Sequence, residues 1–168
     1  MMPLDDEAIE QLARALHETF CEELRAAGYR LGEQTDDAAK THSALKPFDE
    51  LPSDEQEQNR ENARDIPRKL ASIHCRIGRR TPGSNAVAAL SLHDIEQLSR
   101  QEHDRWMQSK LDAGWKWAPV TDKPKRLHQD LASWEQLPEA TREKDRVLVR
   151  RIPWLLQRIG LQIECGQS

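Results

Sequence analysis

The sequence has only three cysteines among its 168 residues, and no two of them are close together. Cys21, Cys75 and Cys165 form no Cys-x-x-Cys pair, so the pattern predicts neither a zinc site nor a disulfide framework. The chain also lacks an apolar run of the roughly 18 residues that a membrane-spanning helix needs, and its N-terminus has no signal-peptide pattern. These absences predict a cytoplasmic protein without a membrane segment.

Catalytic motifs are missing as well. The sequence contains no Gly-x-Ser-x-Gly, no Walker A motif, no His-Glu-x-x-His and no Gly-x-Gly-x-x-Gly. Cys21 lies four residues after His17, which leaves a nucleophile–base contact on one helix face as an open alternative. No element of an oxyanion hole accompanies that pair. We therefore expect a protein that is not an enzyme, binds no metal and requires no cofactor.

An excess of positive charge is absent too. Lysine and arginine number 25 against 29 acidic residues, and the net charge is −4. Residues 1–84 carry −5 and residues 85–168 carry +1. Proteins that bind DNA or RNA usually show a basic excess, because neutralising phosphates supplies much of their affinity. Bulk nucleic acid is therefore disfavoured as a partner.

The chain does contain an internal repeat. Shifting the sequence by 86 positions places Leu12-Ala-Arg-Ala-Leu-His-Glu-Thr-Phe20 on Leu98-Ser-Arg-Gln-Glu-His-Asp-Arg-Trp106, and the match continues without a gap over residues 9–77 and 95–163. Identical pairs include the glycines, prolines and histidines Gly28/Gly114, Pro52/Pro138, Pro67/Pro153, His17/His103 and His42/His128. Because glycine and proline fix backbone geometry, their recurrence in register indicates duplication. We predict one repeat over 1–77, a linker over 78–90 and a second repeat over 91–168.

Each repeat is predicted to be mainly α. In the first copy an apolar stripe with helical spacing covers residues 5–27, and Gly28 ends it. A short extended piece and a loop follow, and then a helix begins near Ser53, which can cap it with Gln56. Pro67 should end or kink that helix near Asp65. The expected unit is a long helix, a short extended segment, a loop and a helix pair, and two units should pack with pseudo-twofold symmetry.

The second copy resembles the RyR domain, the repeat named after ryanodine receptors and also found in small bacterial proteins. The resemblance is carried by Leu98, His103, Trp106, Gly114-Trp115, Asp122, Arg126-Leu-His128, Leu131, Trp134, Leu137-Pro138, Arg142, Arg146 and Leu155-Leu156 with Gly160. The first copy matches more loosely, with Phe20, Tyr29 and Phe48 in place of three of the tryptophans. The whole chain therefore resembles a tandem RyR pair.

This resemblance implies a helical fold, paired repeats about an approximate twofold axis, and no enzymatic activity. It further implies a module that binds an adenine nucleotide, such as ATP, between the repeats. Residue by residue, it carries over Phe20 and Trp106 as walls that stack on a base. The alternative for both aromatics is a place in the core.

The remaining candidate ligand-binding residues surround these two aromatics in the sequence. His17 and His103 could donate to a ligand, or could be buried and bonded to backbone. Arg14 and Arg100 could bind phosphate, or could form surface ion pairs. The other candidates are Tyr29, Trp115 and Trp117 after the glycines, and Lys40 and Arg126 before the loop histidines.

We therefore expect a ligand sensor that binds an adenine nucleotide or a nucleotide-derived messenger in the cleft between the repeats. A second hypothesis is a protein-interaction adaptor, or a homodimer, that docks through the aromatic-rich second repeat. In that case Trp117 and Trp154 would be the anchors, because exposed aromatics dominate interface energetics.

Overall fold

The computed structural model describes residues 4–84 and 86–166, and its first repeat begins with a long helix. Helix α1 covers Asp6–Ala26, and the Asp5 side chain caps it by accepting a hydrogen bond from the Ala8 amide. The helix ends before Gly28, whose φ of +92° is the left-handed conformation that terminates helices. The parallel strand pair β1 (Arg30–Leu31) and β2 (Thr41–His42) follows. A 3-10 turn, helix α2 (Ser53–Ala71) and strand β3 (Cys75–Arg79) complete the repeat.

The second repeat follows the same course. Helix α3 (Leu92–Asp112) is capped by Ser91 and ends before Gly114, which also has a positive φ. Strands β4 (Lys116–Trp117) and β5 (Leu127–His128) pair in parallel. A second 3-10 turn leads into α4 (Glu139–Arg150), α5 (Ile152–Arg158) and β6 (Leu161–Cys165). The mainly α fold with its repeated unit is confirmed. The predictions that fall on residues 1–3, 85 and 167–168 lie outside the described residues.

The second helix of the first repeat differs from its prediction in two respects. Of the predicted end or kink near Asp65, the end was wrong, because helix α2 continues through Pro67 to Ala71. A proline ring removes only one intrahelical hydrogen bond, and the buried side chains of Ile66 and Leu70 on either side pack into the core. Ser53 is also not the cap, because it is the first helical residue and follows Pro52.

Strands β3 and β6 were missed by the sequence analysis, and they join the two repeats. They pair antiparallel, and Ile77 lies opposite Ile163, the residue that the 86-residue offset makes its equivalent. Two strands related by a twofold axis adopt this register. Residues 78 and 79, which we assigned to the linker, belong to β3.

The same strand pair overturns the prediction that the cysteines form no disulfide. Cys75 and Cys165 lie opposite each other at one end of the ladder, and their sulfur atoms are bonded across a sequence separation of 90 residues. The spacing of the cysteines could not reveal this, because only tertiary pairing of the strands brings them together. Disulfides are common in oxidising compartments and rare in the cytosol. The bond thus removes the cysteine argument for a cytoplasmic location, which stays a prediction.

The main apolar core draws on both repeats. The buried side chains of one continuous cluster come from α1, α2 and β3 and equally from α3, α4, α5 and β6. They include Leu12, Leu16, Ile66, Leu70, Ile77, Leu98, Val149, Ile152, Leu155, Leu156 and Ile163. The repeats are therefore packed together and cannot be separated without exposing this core. Over residues 4–84 and 86–166, no helix is long and apolar enough to cross a membrane.

Lys69 forms a buried ion-pair network at this junction. Its side chain is 0% exposed, and its Nζ lies 2.9 Å from a Glu102 carboxylate oxygen and 3.1 Å from Asp65. Glu102 also accepts a hydrogen bond of 2.8 Å from Arg105. Burial opposes ionisation of Glu102, but the charges of Lys69 and Arg105 outweigh it and hold the pKa of Glu102 below its ordinary value. The network links α2 of the first repeat to α3 of the second.

Candidate functional site

A cleft of about 530 Å³ lies between the two repeats. This volume is in the range of small-molecule sites. Helices α1, α2, α3 and α4 and the loops around β2 and β5 line the cleft. Many lining residues occur as repeat equivalents, among them His17/His103, Phe20/Trp106, Thr35/Thr121, Asp37/Lys123, His42/His128 and Asn59/Asp145. The cleft is thus built from both copies of one unit.

Phe20 and Trp106 contribute an aromatic surface from each repeat. Both rings are partly exposed and line the cleft, while Phe20 also packs against small apolar clusters of its own repeat. A histidine meets each ring edge-on: His42 at 5.1 Å from Phe20 and His128 at 4.8 Å from Trp106, measured between ring centroids. Two partly exposed aromatic rings in one cleft can bind a flat heteroaromatic group.

His17 and His103 hold the helices to the loops. The Nε2 of each donates a hydrogen bond of 2.7 Å to a loop carbonyl, that of Lys46 in the first repeat and that of Ala132 in the second. Both side chains are buried, although they also line the cleft. Both histidines therefore adopt the backbone-bonded arrangement, which was the alternative to a ligand contact. Each hydrogen bond also helps to position the aromatic residue three positions later on the same helix.

His42 and His128 are cleft residues that the sequence analysis did not select. In each ring Nδ1 accepts a backbone hydrogen bond of 3.0 Å, from Ala44 and from Asp130 respectively. A neutral ring that accepts at Nδ1 carries its proton on Nε2. Within residues 4–84 and 86–166 neither Nε2 has a hydrogen-bond partner, so each ring offers a free N–H donor. Their identity at the 86-residue offset was the signal that could have found them.

Burial keeps these two rings neutral. It lowers the pKa of His42 to about 3, helped by the positive charges of Lys144 and Lys123. It lowers the pKa of His128 to about 4, helped by Lys110 and Lys123. Both rings therefore act as uncharged donors at neutral pH.

Three lysines bring positive charge to the cleft. Lys110 lies four residues after Trp106, and its Nζ sits 4.2 Å from the centre of the Trp115 ring. Burial lowers the pKa of Lys110. Lys123 reaches the first repeat, where its Nζ lies 2.7 Å from the Ser43 hydroxyl and 3.3 Å from Glu55.

Lys144 reaches the first repeat as well. Its Nζ lies 3.0 Å from the Asp37 carboxylate and 5.7 Å from the centre of the Tyr29 ring. Tyr29 donates a hydrogen bond of 2.8 Å to the same carboxylate, and burial raises the pKa of Tyr29 to about 12. Two inter-repeat ion pairs, Lys123–Glu55 and Lys144–Asp37, therefore bridge the cleft.

Two carboxyl groups in the cleft lack an ion-pair partner within the described part of the chain. Among the described residues, the side chains of Asp130 and Asp145 make no hydrogen bond and no ion pair, although both line the cleft. Burial raises the pKa of Asp130, and it raises that of Asp145 well above the ordinary range. In the described part of the chain, the cleft included, no group of three or more histidine, cysteine or acidic side chains could hold a metal ion.

A family model described as RyR domain matches residues 3–79 and again residues 89–165. The chain belongs to the RyR domain family. Its two RyR repeats reproduce each other's contacts at the 86-residue offset, as the pair His17–Lys46 and His103–Ala132 shows. The recognition of a tandem RyR protein from its motifs is confirmed.

Within this RyR pair, four of the candidate cations lie away from the cleft. Arg14 pairs with Asp49 at 2.8 Å, and Arg100 pairs with Glu135. Lys40 and Arg126 have φ values of 55° and 56° and donate to the carbonyls of Ala27 and Ala113, the residues that directly follow α1 and α3. These contacts secure the loops of each RyR repeat to the end of its long helix.

The remaining candidates divide between the cleft and the surface. Trp115 lines the cleft and is largely buried, whereas Tyr29 reaches it only through Asp37. Trp117 is 57% exposed and donates a hydrogen bond to the Gln129 carbonyl. Cys21, whose thiol lies 3.3 Å from His17, is buried outside the cleft lining, and burial raises its pKa.

Proposed function

We propose that this tandem RyR protein is a non-catalytic sensor that binds an adenine nucleotide, or a messenger derived from one, between its repeats. The observation that carries the proposal is that Phe20 and Trp106 line the same cleft, one from each repeat. Stacking of a base on an aromatic ring contributes roughly 1–3 kcal/mol. A base held between the two rings would gain that contribution on both faces.

The phosphates of the ligand would lie among the cleft lysines. Lys110, Lys123 and Lys144 take the role that we first considered for Arg14 and Arg100. His42 and His128 add neutral Nε2–H donors, which bind phosphate oxygens without a protonation step. Phosphate oxygens are strong acceptors, and hydrogen bonds from charged donors to them are about twice as strong as neutral ones.

Binding would be reported through the relative orientation of the repeats. Lys123 and Lys144 already bridge to Glu55 and Asp37 of the first repeat. A phosphate that competes for these lysines would exchange a carboxylate partner for the ligand. The ligand would then replace the two ion pairs that bridge the cleft, and a partner protein would read the resulting difference.

Binding to nucleotides tests the proposal directly. Thermal unfolding of the whole chain is followed with ATP, ADP, AMP and adenosine, and dissociation constants are measured by calorimetry. A ligand present at 100 times its dissociation constant stabilises the protein by about 2.7 kcal/mol. The Trp106→Ala variant should lose most of that stabilisation, and the Trp117→Ala variant, which removes an exposed tryptophan outside the cleft, should keep it.

Two results would contradict the proposal. If none of these nucleotides shifts the unfolding temperature, the cleft does not bind them. If ATP binds equally well to Trp106→Ala and to the parent protein, the site lies elsewhere in the molecule.

A second function is favoured by the exposed tryptophans. Trp154 is 45% exposed, and two guanidinium groups lie near its ring, Arg151 at 5.2 Å and Arg158 at 4.7 Å from the ring centre. We propose, as the alternative, that Trp154 and Trp117 anchor a protein partner or a second copy of the chain. Sedimentation of the parent protein and of Trp154→Ala over a concentration range tests self-association, and a monomer throughout would exclude the second copy.

A further inference from the structure

Asp145 differs from its helix neighbours in the cleft region because its carboxyl group is unpaired within the residues that the structure describes. It lies on α4, and its repeat equivalent on α2 is Asn59, which also lines the cleft. Its two neighbours on the helix are both paired, Lys144 with Asp37 and Arg146 with Glu96. The Asp145 carboxyl itself has no hydrogen-bond or ion-pair partner among the described residues. This half-buried carboxyl lines the cleft and is therefore available to bind a polar group from outside the chain.

We infer that Asp145 reads the base of the bound nucleotide, acting as a neutral carboxylic acid that donates to a ring nitrogen and accepts from the adjacent amino group. The inference rests on the proposed function, because it needs a base in the cleft. Asp145 would then determine the preference of the cleft for adenine over other bases. Asn59, an amide in the equivalent position, presents the same combination of one donor and one acceptor.

The electrostatic surroundings favour the neutral acid. Glu102 on α3 and Asp130 in the loop after β5 are the nearby negative charges, and both disfavour a further carboxylate. The positive charges that face Asp145 are Lys69 on α2 and Arg105 on α3, and both of them already pair with Glu102. Burial and these negative charges raise the pKa of Asp145 well above its ordinary range.

The protonation state decides which base fits. The pairing edge of adenine places an acceptor nitrogen beside an amino donor, which complements a carboxylic acid. The edge of guanine presents two neighbouring donors, which complement an ionised carboxylate. Hydrogen bonds to the pairing edge are the usual means by which proteins read an unpaired base. Adenine should therefore bind more tightly than guanine while Asp145 is protonated.

The test uses nucleosides, so that the phosphate contacts do not contribute. Calorimetry measures adenosine, guanosine and purine riboside, which lacks the amino group, with the parent protein and with three variants. Asp145→Asn keeps one donor and one acceptor and should bind adenosine within about threefold of the parent. Asp145→Leu removes both and should bind adenosine about tenfold or more weakly. Asp104→Asn, an exposed charge on α3, is the control and should change nothing.

The affinity for purine riboside and the pH dependence of binding distinguish base recognition by Asp145 from a purely structural role of this residue. Purine riboside keeps the ring nitrogen but lacks the amino group, so it should bind the parent more weakly than adenosine and should lose less affinity than adenosine in Asp145→Leu. As the pH rises, the affinity of the parent for adenosine should fall when Asp145 ionises, and that of Asp145→Asn should stay level. If Asp145→Leu does not fold, the comparison of these two pH profiles decides.

The outcomes separate this inference from the proposed function. If adenosine and ATP bind, Trp106→Ala weakens them and Asp145→Leu does not, the role of Asp145 is wrong and the proposed function stands. Tighter binding of guanosine than of adenosine at neutral pH would overturn the neutral acid. If no nucleoside or nucleotide binds the parent protein, both proposals are wrong.

Discussion

Reduction of the Cys75–Cys165 disulfide should strongly destabilise the protein. The bond closes a loop with a sequence separation of 90 residues. In the chain-entropy description, a cross-link over a loop of this length stabilises the folded state by about 4–5 kcal/mol, because it restricts the unfolded chain. For a protein of this size each kcal/mol corresponds to roughly 2–4 °C in the unfolding temperature. Loss of the bond should therefore lower that temperature by roughly 8–20 °C.

Calorimetric or circular-dichroism melts with and without reductant measure the effect. The double variant Cys75→Ser and Cys165→Ser should unfold at the temperature of the reduced parent and should not respond to reductant, which controls for Cys21. Alkylation with mass spectrometry should count one free thiol in the oxidised protein and three after reduction. Three free thiols in protein purified without reductant, or equal melts in both states, would refute the reasoning.

Two further predictions concern the buried charges and the cleft histidines. Lys69→Met leaves Glu102 buried with only one of its two cations, so urea unfolding should show a loss of about 3–5 kcal/mol. Arg68→Met, which removes an exposed ion pair beside it, should cost less than about 1 kcal/mol, and equal losses would contradict the role of the buried network. His42 and His128 have folded-state pKa values of about 3 and about 4, below their ordinary value of 6.5. The stability that these neutral rings contribute is fully present above about pH 6.5. It is lost as the pH falls toward the folded-state pKa values, by up to about 1.4 kcal/mol per pH unit for each ring. Urea melts between pH 7 and pH 5 should show this loss of stability. Replacing both histidines by glutamine should flatten the dependence of stability on pH, and an unchanged dependence would show that other groups cause the loss.

The long helices and their ends could be predicted because their signals are local. Gly28 and Gly114 end α1 and α3, as the sequence indicated, and the structure adds Asp5 and Ser91 as the N-terminal caps of these helices. The strand pair β3–β6 could not be predicted, because its partners come together only through the packing of the two repeats. The disulfide at its end was missed for the same reason.

The aromatic pair of the cleft was predicted, but Lys110 and Lys144 were not. Arg14 lies six residues before Phe20, which places it about 120° around the helix from the ring, at 3.6 residues per turn. It therefore reaches Asp49 on another side of α1 instead of the cleft. Lys110 lies four residues after Trp106 and falls on the same face of α3, so helical geometry alone could have selected it. Lys144 comes from another helix, and no local pattern brings it to Trp106.

The register of β3 and β6 has a consequence for how the cleft could have arisen. A strand that pairs with its own equivalent at Ile77 and Ile163 is self-complementary, so a protein with a single repeat could close into a symmetric dimer through it. Both walls of the cleft in such a dimer would have to be the same. Joining the two copies in one chain removes that requirement. Each wall can then change independently. Two pairs of equivalent cleft residues illustrate this, because Phe20 corresponds to Trp106 and Asn59 corresponds to Asp145.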